Sequence, residues 1–320
     1  MSLPSLAGMP THVLNDGDLL PFDPMAVHSQ TQVSQMFANA LAFTPPLQGS
    51  VGEIRKLRVI RIDTYEHLTL AVKRAKTGTV ERTKEILDES AKHGSLYDKI
   101  SSVDDACKQF FLEPFLCAPP AKRQSDESQF VYTLQTWVAD EDEKIIELNT
   151  LLFKREHPLV ETETLQNLRE LTTEELAGWM EIAARLMGKA LRCLVDARLQ
   201  LFDLHSRNIM LCFKGNAHAP ENVRLIFVDV AGAQDITHES ARAQIDAGWP
   251  SGTGVITRVE MSARDDPDPA ERLRLHHAHL EFNRVLSEAF SPGEGHKNWR
   301  ENEYDFWFLP ADDDPLTRGY

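Results

Sequence analysis

The alternation of apolar and charged residues predicts a sheet in the first half of this chain. From Leu47 the sequence reads Leu-Gln-Gly-Ser-Val-Gly-Glu-Ile-Arg-Lys-Leu-Arg-Val-Ile-Arg-Ile, in which isoleucine, leucine and valine lie among charged residues. This pattern predicts a strand, a glycine-containing turn and a long second strand. Further strands are predicted at residues 68–74, 110–117 and 130–138. Together these strands predict a five-stranded antiparallel sheet.

Apolar residues at helical spacing predict several helices. Residues 80–92 combine a narrow apolar stripe with glutamates, which is typical of a charged surface helix. The capping-box sequence Thr-Thr-Glu-Glu begins at Thr172, and the apolar residues after it recur at helical spacing to about residue 198. A long central helix with one buried face is therefore expected there. Other helices are expected at residues 26–41, 141–153 and 269–289, and residues 241–254 are expected to be irregular.

Length and charge limit the classes of protein to which the chain can belong. Its 320 residues, of which 42% are hydrophobic, are enough for one large domain or for two lobes with separate cores. The formal net charge is −15. Because phosphate backbones and anionic lipids would be repelled, we expect neither nucleic acid nor a membrane as a partner. A local basic pocket for one nucleotide is compatible with this charge.

The cysteines and the first basic residue give an expectation about location. Cys107, Cys117, Cys193 and Cys212 lie in apolar surroundings without C-x-x-C spacing. We interpret them as buried free thiols in a reducing compartment, not as disulfides or metal ligands. The first basic residue is Arg55, so no signal peptide is evident, and no apolar run approaches the roughly 20 residues of a membrane span. A cytoplasmic protein is therefore expected.

The clearest chemical pattern lies in two short segments of the second half. Asp203 and Asn208 are held five positions apart in Leu-Phe-Asp-Leu-His-Ser-Arg-Asn, on a predicted tight loop directly before an apolar strand, and Asp229 ends another predicted apolar strand shortly before Gly232. This set suits phosphoryl transfer, in which one carboxylate orients the attacking hydroxyl while an amide and a second carboxylate hold the metal on the nucleotide phosphates. The first role falls to Asp203 and the second to Asn208 and Asp229.

The first half supplies candidate groups for the nucleotide. Gly49 and Gly52 would let backbone N–H groups approach phosphates, although such a pair is more often a plain hairpin turn. Lys73 follows in Leu-Ala-Val-Lys, where its ammonium would pair with phosphate oxygens. In the next helix Glu85 is the predicted partner of the Lys73 amine, and Glu89 is the alternative. A solvated surface is the other interpretation of these charged residues.

In this order the motifs resemble the protein-kinase-like superfamily, which includes protein kinases and the aminoglycoside and choline kinases. The matching features are Gly49-x-x-Gly52, Ala71-Val72-Lys73, a following glutamate-bearing helix, Asp203-x-x-x-x-Asn208 and Val228-Asp229-x-x-Gly232, which together extend over more than half of the chain. The resemblance implies an α+β, two-lobed protein-kinase-like fold. A small antiparallel five-stranded N-lobe would occupy residues 41–139 and a mainly helical C-lobe residues 140–320, after an irregular arm at residues 1–40.

The resemblance also implies roles for individual residues. Asp203, Lys73 and His205 would be the catalytic residues. ATP would be bound by Gly49, Gly52, Lys73, Glu85, Asn208 and Asp229, and its Mg²⁺ by Asn208 and Asp229. The physical reason agrees, since the charge of a triphosphate must be neutralised before an oxygen nucleophile can approach it in line.

Departures from the family pattern indicate an atypical member. Phe202 stands where protein kinases usually have Arg, and His205 stands where Ser/Thr kinases have Lys, so the loop is more similar to those of small-molecule and atypical kinases. Leu47 replaces the first glycine of the usual three, and Gly232 comes one residue late. The implied function is ATP- and Mg²⁺-dependent transfer of the γ-phosphoryl group to a hydroxyl, with an atypical protein Ser/Thr kinase favoured. The alternatives are a small-molecule kinase, a catalytically inactive pseudokinase or scaffold, and an enzyme that transfers AMP.

Overall fold

A curled sheet of five strands organises the first part of the chain. The computed structural model describes residues 19–42, 47, 52–120, 130–153, 156–201, 204, 206–230, 232–248, 250 and 281–293. In the sheet the strands follow the order β1 (Leu20–Phe22), β2 (Gly52–Arg61), β3 (His67–Ala75), β5 (Tyr132–Thr136) and β4 (Pro114–Phe115). β1 is parallel to β2, and the other neighbouring pairs are antiparallel. The number of five strands agrees with the prediction, but β1 takes the place of the first strand predicted at Leu47, and the strand predicted at residues 110–117 is limited to β4. The prediction of an entirely antiparallel sheet is wrong.

The segment predicted to be an irregular arm contributes to this sheet. It contains β1 and then α1 (Gln30–Asn39), which begins with a capping box between Ser29 and Gln32. Apolar side chains of β1, α1 and the sheet form one core cluster, which includes Leu20, Phe22, Val33, Met36, Phe37, Leu57, Val59, Leu70, Val72 and Leu134. The predicted helix within residues 26–41 is therefore confirmed. The prediction that this segment is irregular is wrong where it is described, because its apolar residues complete the core.

Leu41 and Leu47 form backbone contacts with β2. Leu41 and Lys56 exchange both of their backbone hydrogen bonds, and the Ile54 N–H donates to the Leu47 carbonyl over 2.9 Å. The predicted glycine-containing turn between Leu47 and β2 falls on residues 48–51, which lie outside the described residues. Gly52 is the first residue of β2.

The chain divides into two compact units, and the division falls within a helix. Unit 1 comprises Met1–Tyr97 and Leu112–Asp140, and unit 2 comprises Asp98–Phe111 and Glu141–Tyr320. The helix is α2 (Val80–Val103), which begins where residues 80–92 predict it and continues beyond the predicted end.

Unit 2 contains a long central helix and several shorter ones. The central helix, α5 (Thr173–Asp196), has the predicted Thr172 capping box and one buried face. The others are α3 (Leu148–Phe153), α4 (Thr162–Arg169), α6 (His238–Ala247) and α7 at residues 281–290. α6 corrects the prediction that residues 241–254 are irregular. Of the helix predicted at residues 269–289, the part before residue 281 lies outside the described residues.

Two of these helices approach closely because α5 has a glycine at the contact. A Cβ atom at Gly188 would lie 2.5 Å from the carbonyl oxygen of Leu286 on α7. Any side chain at this position would therefore push the helices apart. None of the helices in the described part of the chain combines the length and the apolar composition needed to cross a bilayer.

Unit 2 also contains a sheet, two of whose strands confirm the apolar strands predicted after Asn208 and before Asp229. β6 (Lys144–Glu147), β8 (Ile209–Asn216) and β9 (Ala219–Phe227) form an antiparallel sheet in the order β6-β8-β9, and β7 (Leu199–Leu201) pairs with β10 (Ala233–Asp235). The helix predicted at residues 141–153 is wrong in its first half, because residues 144–147 pair with β8. A short apolar run is compatible with either structure, and here the available strand edge decides it.

Cys107 and Cys193 form a disulfide bond, which corrects the interpretation of all four cysteines as free thiols. The bond joins the 3₁₀ helix Asp105–Phe110 to α5 across 86 positions of sequence, with 5.8 Å between the Cα atoms. Both residues lie in unit 2. Cys117 and Cys212 are free, and burial raises the pKa of the Cys117 thiol to about 11.

Candidate functional site

Lys73 forms an ion pair with Glu89 inside unit 1. Lys73 lies on β3, between Ile54 of β2 and Thr133 of β5, so its backbone is held from both sides. Glu89 lies on α2, and both side chains are half-buried. The structure therefore brings the predicted lysine to a glutamate of the following helix, and the pair fixes where the Lys73 ammonium lies.

The partner is Glu89 and not Glu85, which corrects the preferred prediction. Glu85 instead accepts a hydrogen bond from Arg82, which precedes it on the same helix. α2 packs through Ile86, which lies in a small core with Ala75 of β3. Residues four apart share one face of a helix, so Glu85 and Glu89 lie one turn apart on the same side of α2, and it is the later one that reaches the lysine of β3.

Gly52 lies against the Lys73 side chain. A Cβ atom at position 52 would be 3.0 Å from both Cγ and Cε of Lys73, and 2.8 Å from the carbonyl oxygen of Arg74. A larger residue at the start of β2 would therefore displace the lysine or the backbone of β3. This contact gives the glycine a steric role beside the lysine, apart from any role in a turn.

Asn208 and Asp229 lie at adjacent strand ends in unit 2. Ser206–Asn208 form a single 3₁₀ turn, which we call the 206–208 turn, directly before β8. Asp229 comes two residues after the end of β9, and the intervening Val228 N–H donates to the Asn208 carbonyl over 3.0 Å. Asn208 is buried and Asp229 is half-buried. The two predicted metal ligands are thus brought to the same end of the β8–β9 pair.

An amide oxygen and a carboxylate fit a magnesium ion. Mg²⁺ prefers oxygen ligands and is usually held by one or two protein groups, while water and phosphate oxygens complete its coordination. Within the described part of the chain, no group of three or more His, Cys, Asp and Glu residues converges as a protein-only metal centre. Asn208 and Asp229 carry oxygen donors of the kind that Mg²⁺ prefers.

Three predicted site residues lie outside the described residues. They are Gly49, before β2, and Asp203 and His205, between β7 and the 206–208 turn.

A group of buried polar residues behind the 206–208 turn was not identified from the sequence. At the junction of β6 and α3, Glu147, Asn149 and Thr150 are buried, as is Ser206 of the turn. The Ser206 hydroxyl donates to Asn149 Oδ1 over 3.3 Å, and the Thr150 hydroxyl donates to Glu147 Oε2 over 3.4 Å. The available signal was the run Lys-Ile-Ile-Glu-Leu-Asn-Thr-Leu-Leu-Phe, in which polar residues interrupt an otherwise apolar sequence.

Burial sets the electrostatics of this group. It raises the pKa of the Glu147 carboxyl to about 7, while the positive charge of Arg207 and the Thr150 hydrogen bond act in the opposite direction. Burial also lowers the pKa of His157, whose Nε2 lies 3.9 Å from Glu147 Oε1. A carboxyl with so strongly raised a pKa beside predicted ligands is typical of a functional site.

A cavity of about 540 Å³ lies elsewhere in unit 2, between the end of α5 and one face of α6. Its lining residues are Val195, Asp196, Arg198, His238, Ala241, Arg242, Ile245 and Asp246. They carry both signs of charge, and they include none of the predicted site residues.

Comparison of the chain with models of known protein families gives no match, and a search of curated proteins gives none either. The resemblance to the protein-kinase-like superfamily therefore rests on the motifs themselves.

Proposed function

We propose that the chain is an ATP- and Mg²⁺-dependent phosphotransferase with a two-lobed protein-kinase-like fold, which moves the γ-phosphoryl group of ATP to a hydroxyl acceptor. The observation that supports this most strongly is the ion pair between Lys73 of β3 and Glu89 of α2. An ammonium held on a strand by a helix carboxylate is suited to neutralising phosphate oxygens. The adjacent positions of Asn208 and Asp229 support the same proposal, because they supply oxygen ligands for Mg²⁺.

Each residue has a role in the proposed reaction. Lys73 binds the phosphates, and Asn208 and Asp229 hold the magnesium ion, which neutralises the developing charge. Asp203 orients the acceptor hydroxyl and takes its proton as the new O–P bond forms. The bond between the γ-phosphorus and its bridging oxygen breaks at the same time, and ADP leaves with that electron pair. His205 belongs to the same loop as Asp203.

Within this class we favour a Ser/Thr side chain of a protein as the acceptor, over a small-molecule hydroxyl. An inactive pseudokinase or scaffold is the second candidate, and the departures at Leu47 and Gly232 favour it. The presence of Lys73, Asp203, Asn208 and Asp229 together favours activity, since a binding module alone does not need all four.

The test is transfer from labelled ATP by the full chain. With γ-labelled ATP and Mg²⁺, wild-type protein is expected to label an acceptor, and Asp203→Ala is expected to lose that labelling. Asp142→Ala is the control, because Asp142 is an exposed aspartate paired with Lys214. Equal labelling by wild type and Asp203→Ala would overturn the role of Asp203. A thermal shift with ATP and Mg²⁺ but no turnover supports the scaffold, and labelling from α-labelled ATP supports AMP transfer.

A cytoplasmic location is predicted from the sequence, and it is tested separately from the proposed activity. Disulfides persist mainly in oxidising compartments, so the bond between Cys107 and Cys193 argues against it. Alkylation of the protein in acid-quenched cells, followed by mass spectrometry, tests the location. Alkylation of both cysteines supports a reducing compartment, and protection of both contradicts it.

A further inference from the structure

Glu147 lies at the same end of the unit 2 sheet as Asn208 and Asp229. β6 ends at Glu147, and its register partner on β8 is Met210, two residues after Asn208. Because the order β6-β8-β9 is antiparallel, the last residue of β6, the first of β8 and the last of β9 lie at the same end of the sheet. The sheet therefore brings a third polar side chain close to the two proposed magnesium ligands.

The junction of β6 and α3 supports the 206–208 turn directly. Both elements contact the turn, and Asn149 accepts the hydrogen bond of Ser206. Glu147 contacts Thr150 in the same junction and interacts electrostatically with Arg207, the central residue of the turn. Two of the three residues of the turn thus have partners in residues 147–150.

Keeping the buried Glu147 carboxyl ionised in this position costs folding free energy. Its side chain is 8% exposed, and the groups that face it are the Thr150 hydroxyl, the His157 imidazole and Arg207. Burying a carboxylate costs folding free energy unless it is fully paired, and for Glu147 the effect of burial outweighs the opposing charge of Arg207. A sheet end could be completed by an uncharged residue at lower cost, so the charge at position 147 indicates a purpose other than stability.

We propose that Glu147 is a positioning residue for the 206–208 turn. Its carboxylate attracts Arg207, and together with the Asn149–Ser206 hydrogen bond it fixes the orientation in which the turn presents Asn208. The consequence for magnesium binding rests on the proposed function, whereas the positioning itself does not.

Glu147→Gln tests the charge, and Glu143→Gln is its matched control. Glu143 precedes β6 at the other end of the strand, its side chain is 3% exposed, and it accepts a hydrogen bond from Arg224 over 2.9 Å. Both variants replace a buried carboxylate with an amide of the same shape. Only the first lies beside the turn.

The first readout is amide hydrogen exchange in peptides that cover residues 204–210 of the full chain at pH 8. Glu147→Gln is expected to speed exchange there about tenfold, because local opening of the turn becomes easier. Glu143→Gln is expected to leave it unchanged. The melting temperature gives the opposite pattern: Glu147→Gln matches or exceeds wild type, and Glu143→Gln melts lower because it weakens a paired charge. A residue with a merely structural role would not combine equal stability with a looser turn.

The second readout is the Mg²⁺ concentration for half-maximal activity. We expect Glu147→Gln to raise it about 10- to 100-fold, the range typical of groups that orient metal ligands, without a matching change in the KM for ATP. Asn149→Ala removes the other contact with the turn and serves if Glu147→Gln does not fold.

The outcomes separate this inference from the proposed function. Faster exchange at residues 204–210 in a protein without phosphoryl transfer supports the positioning role and overturns the function. Exchange at the wild-type rate in Glu147→Gln overturns the positioning role of Glu147, whatever Asn149→Ala shows and whether or not the enzyme is active.

Discussion

The two units hold their candidate site residues in different ways. In unit 1, Lys73 is paired directly with Glu89, both half-buried, so the two charges neutralise each other where water still reaches them. In unit 2, Glu147 is buried beside the Thr150 hydroxyl and the His157 imidazole, and Arg207 acts on its charge. Holding the paired charges of unit 1 costs little folding free energy. The buried carboxylate lowers the stability of unit 2, and that unit carries the disulfide.

The largest effect is expected from removing the disulfide. Cross-linking residues 86 positions apart restricts the unfolded chain, so the double variant Cys107→Ser/Cys193→Ser should lose about 4–5 kcal/mol of unfolding free energy in unit 2. Hydrogen exchange of α5 peptides measures this loss, and peptides of β3 report on unit 1. Cys117→Ser, in unit 1, is the control. Equal protection of α5 in the double variant and in wild type would show that the disulfide does not stabilise unit 2.

The next effect concerns the paired lysine of unit 1. Lys73→Met is expected to lower phosphoryl transfer about 10²- to 10³-fold, the loss typical of one charge-stabilising group at a reaction centre. Lys84→Met changes the charge equally at an exposed position of α2 and should leave the rate near wild type. The measurement is kcat with γ-labelled ATP. An unchanged rate in Lys73→Met would remove Lys73 from the site.

The third effect concerns the pH dependence of stability in unit 2. The pKa of Glu147 is raised in the folded chain from its ordinary 4.5 to about 7, so the folded state holds the proton more tightly than the unfolded state. The stabilisation is complete below about pH 4.5 and is lost as the pH rises through 7, by about 3 kcal/mol at most. Denaturant unfolding at several pH values should therefore show a steeper decline between pH 5 and 7 in wild type than in Glu147→Gln.

His157 works in the opposite direction over part of this range. Its pKa is lowered by burial, so its contribution is lost as the pH falls below its ordinary value of 6.5. The difference between wild type and Glu147→Gln largely cancels this term, because both proteins keep His157. Parallel pH profiles for the two proteins would show that Glu147 is ionised at little cost.

Residues with a strong local signal were predictable, and residues placed by packing were not. The capping box at Thr172 and the periodic apolar residues after it predicted α5, because both signals are local. Residues 144–147 became a strand because β8 offered an edge, which the sequence of that segment does not contain. The disulfide depends on the packing of the 3₁₀ helix Asp105–Phe110 on α5, and cysteine spacing does not determine pairing.

The candidate site shows the same limit on a smaller scale. The sequence predicted that Lys73 meets a glutamate of α2, because a lysine strand followed by a glutamate-bearing helix is a pattern of residue types. Glu85 and Glu89 lie one turn apart on the same face of α2, so the choice between them depends on which turn of the helix lies opposite Lys73, and the sequence does not determine that. Glu147 gave no motif at all, since only the neighbouring strands bring it to the turn.

The smallest effect is expected from the glutamate that pairs with Lys73. Glu89→Gln removes the charge but keeps the shape, and a partly exposed ion pair contributes about 0.2–1 kcal/mol, so a loss of turnover of up to about fivefold is expected. Glu85→Gln makes the same change one turn earlier, where the carboxylate pairs with Arg82, and should leave kcat unchanged. A larger loss in Glu85→Gln than in Glu89→Gln would show that Lys73 pairs in the working enzyme with the glutamate one turn earlier on α2. The pair of Lys73 with Glu89 would then be present only in the resting enzyme. During turnover Lys73 would have another partner, so unit 1 could no longer be described by a fixed ion pair in the comparison with the buried Glu147 of unit 2.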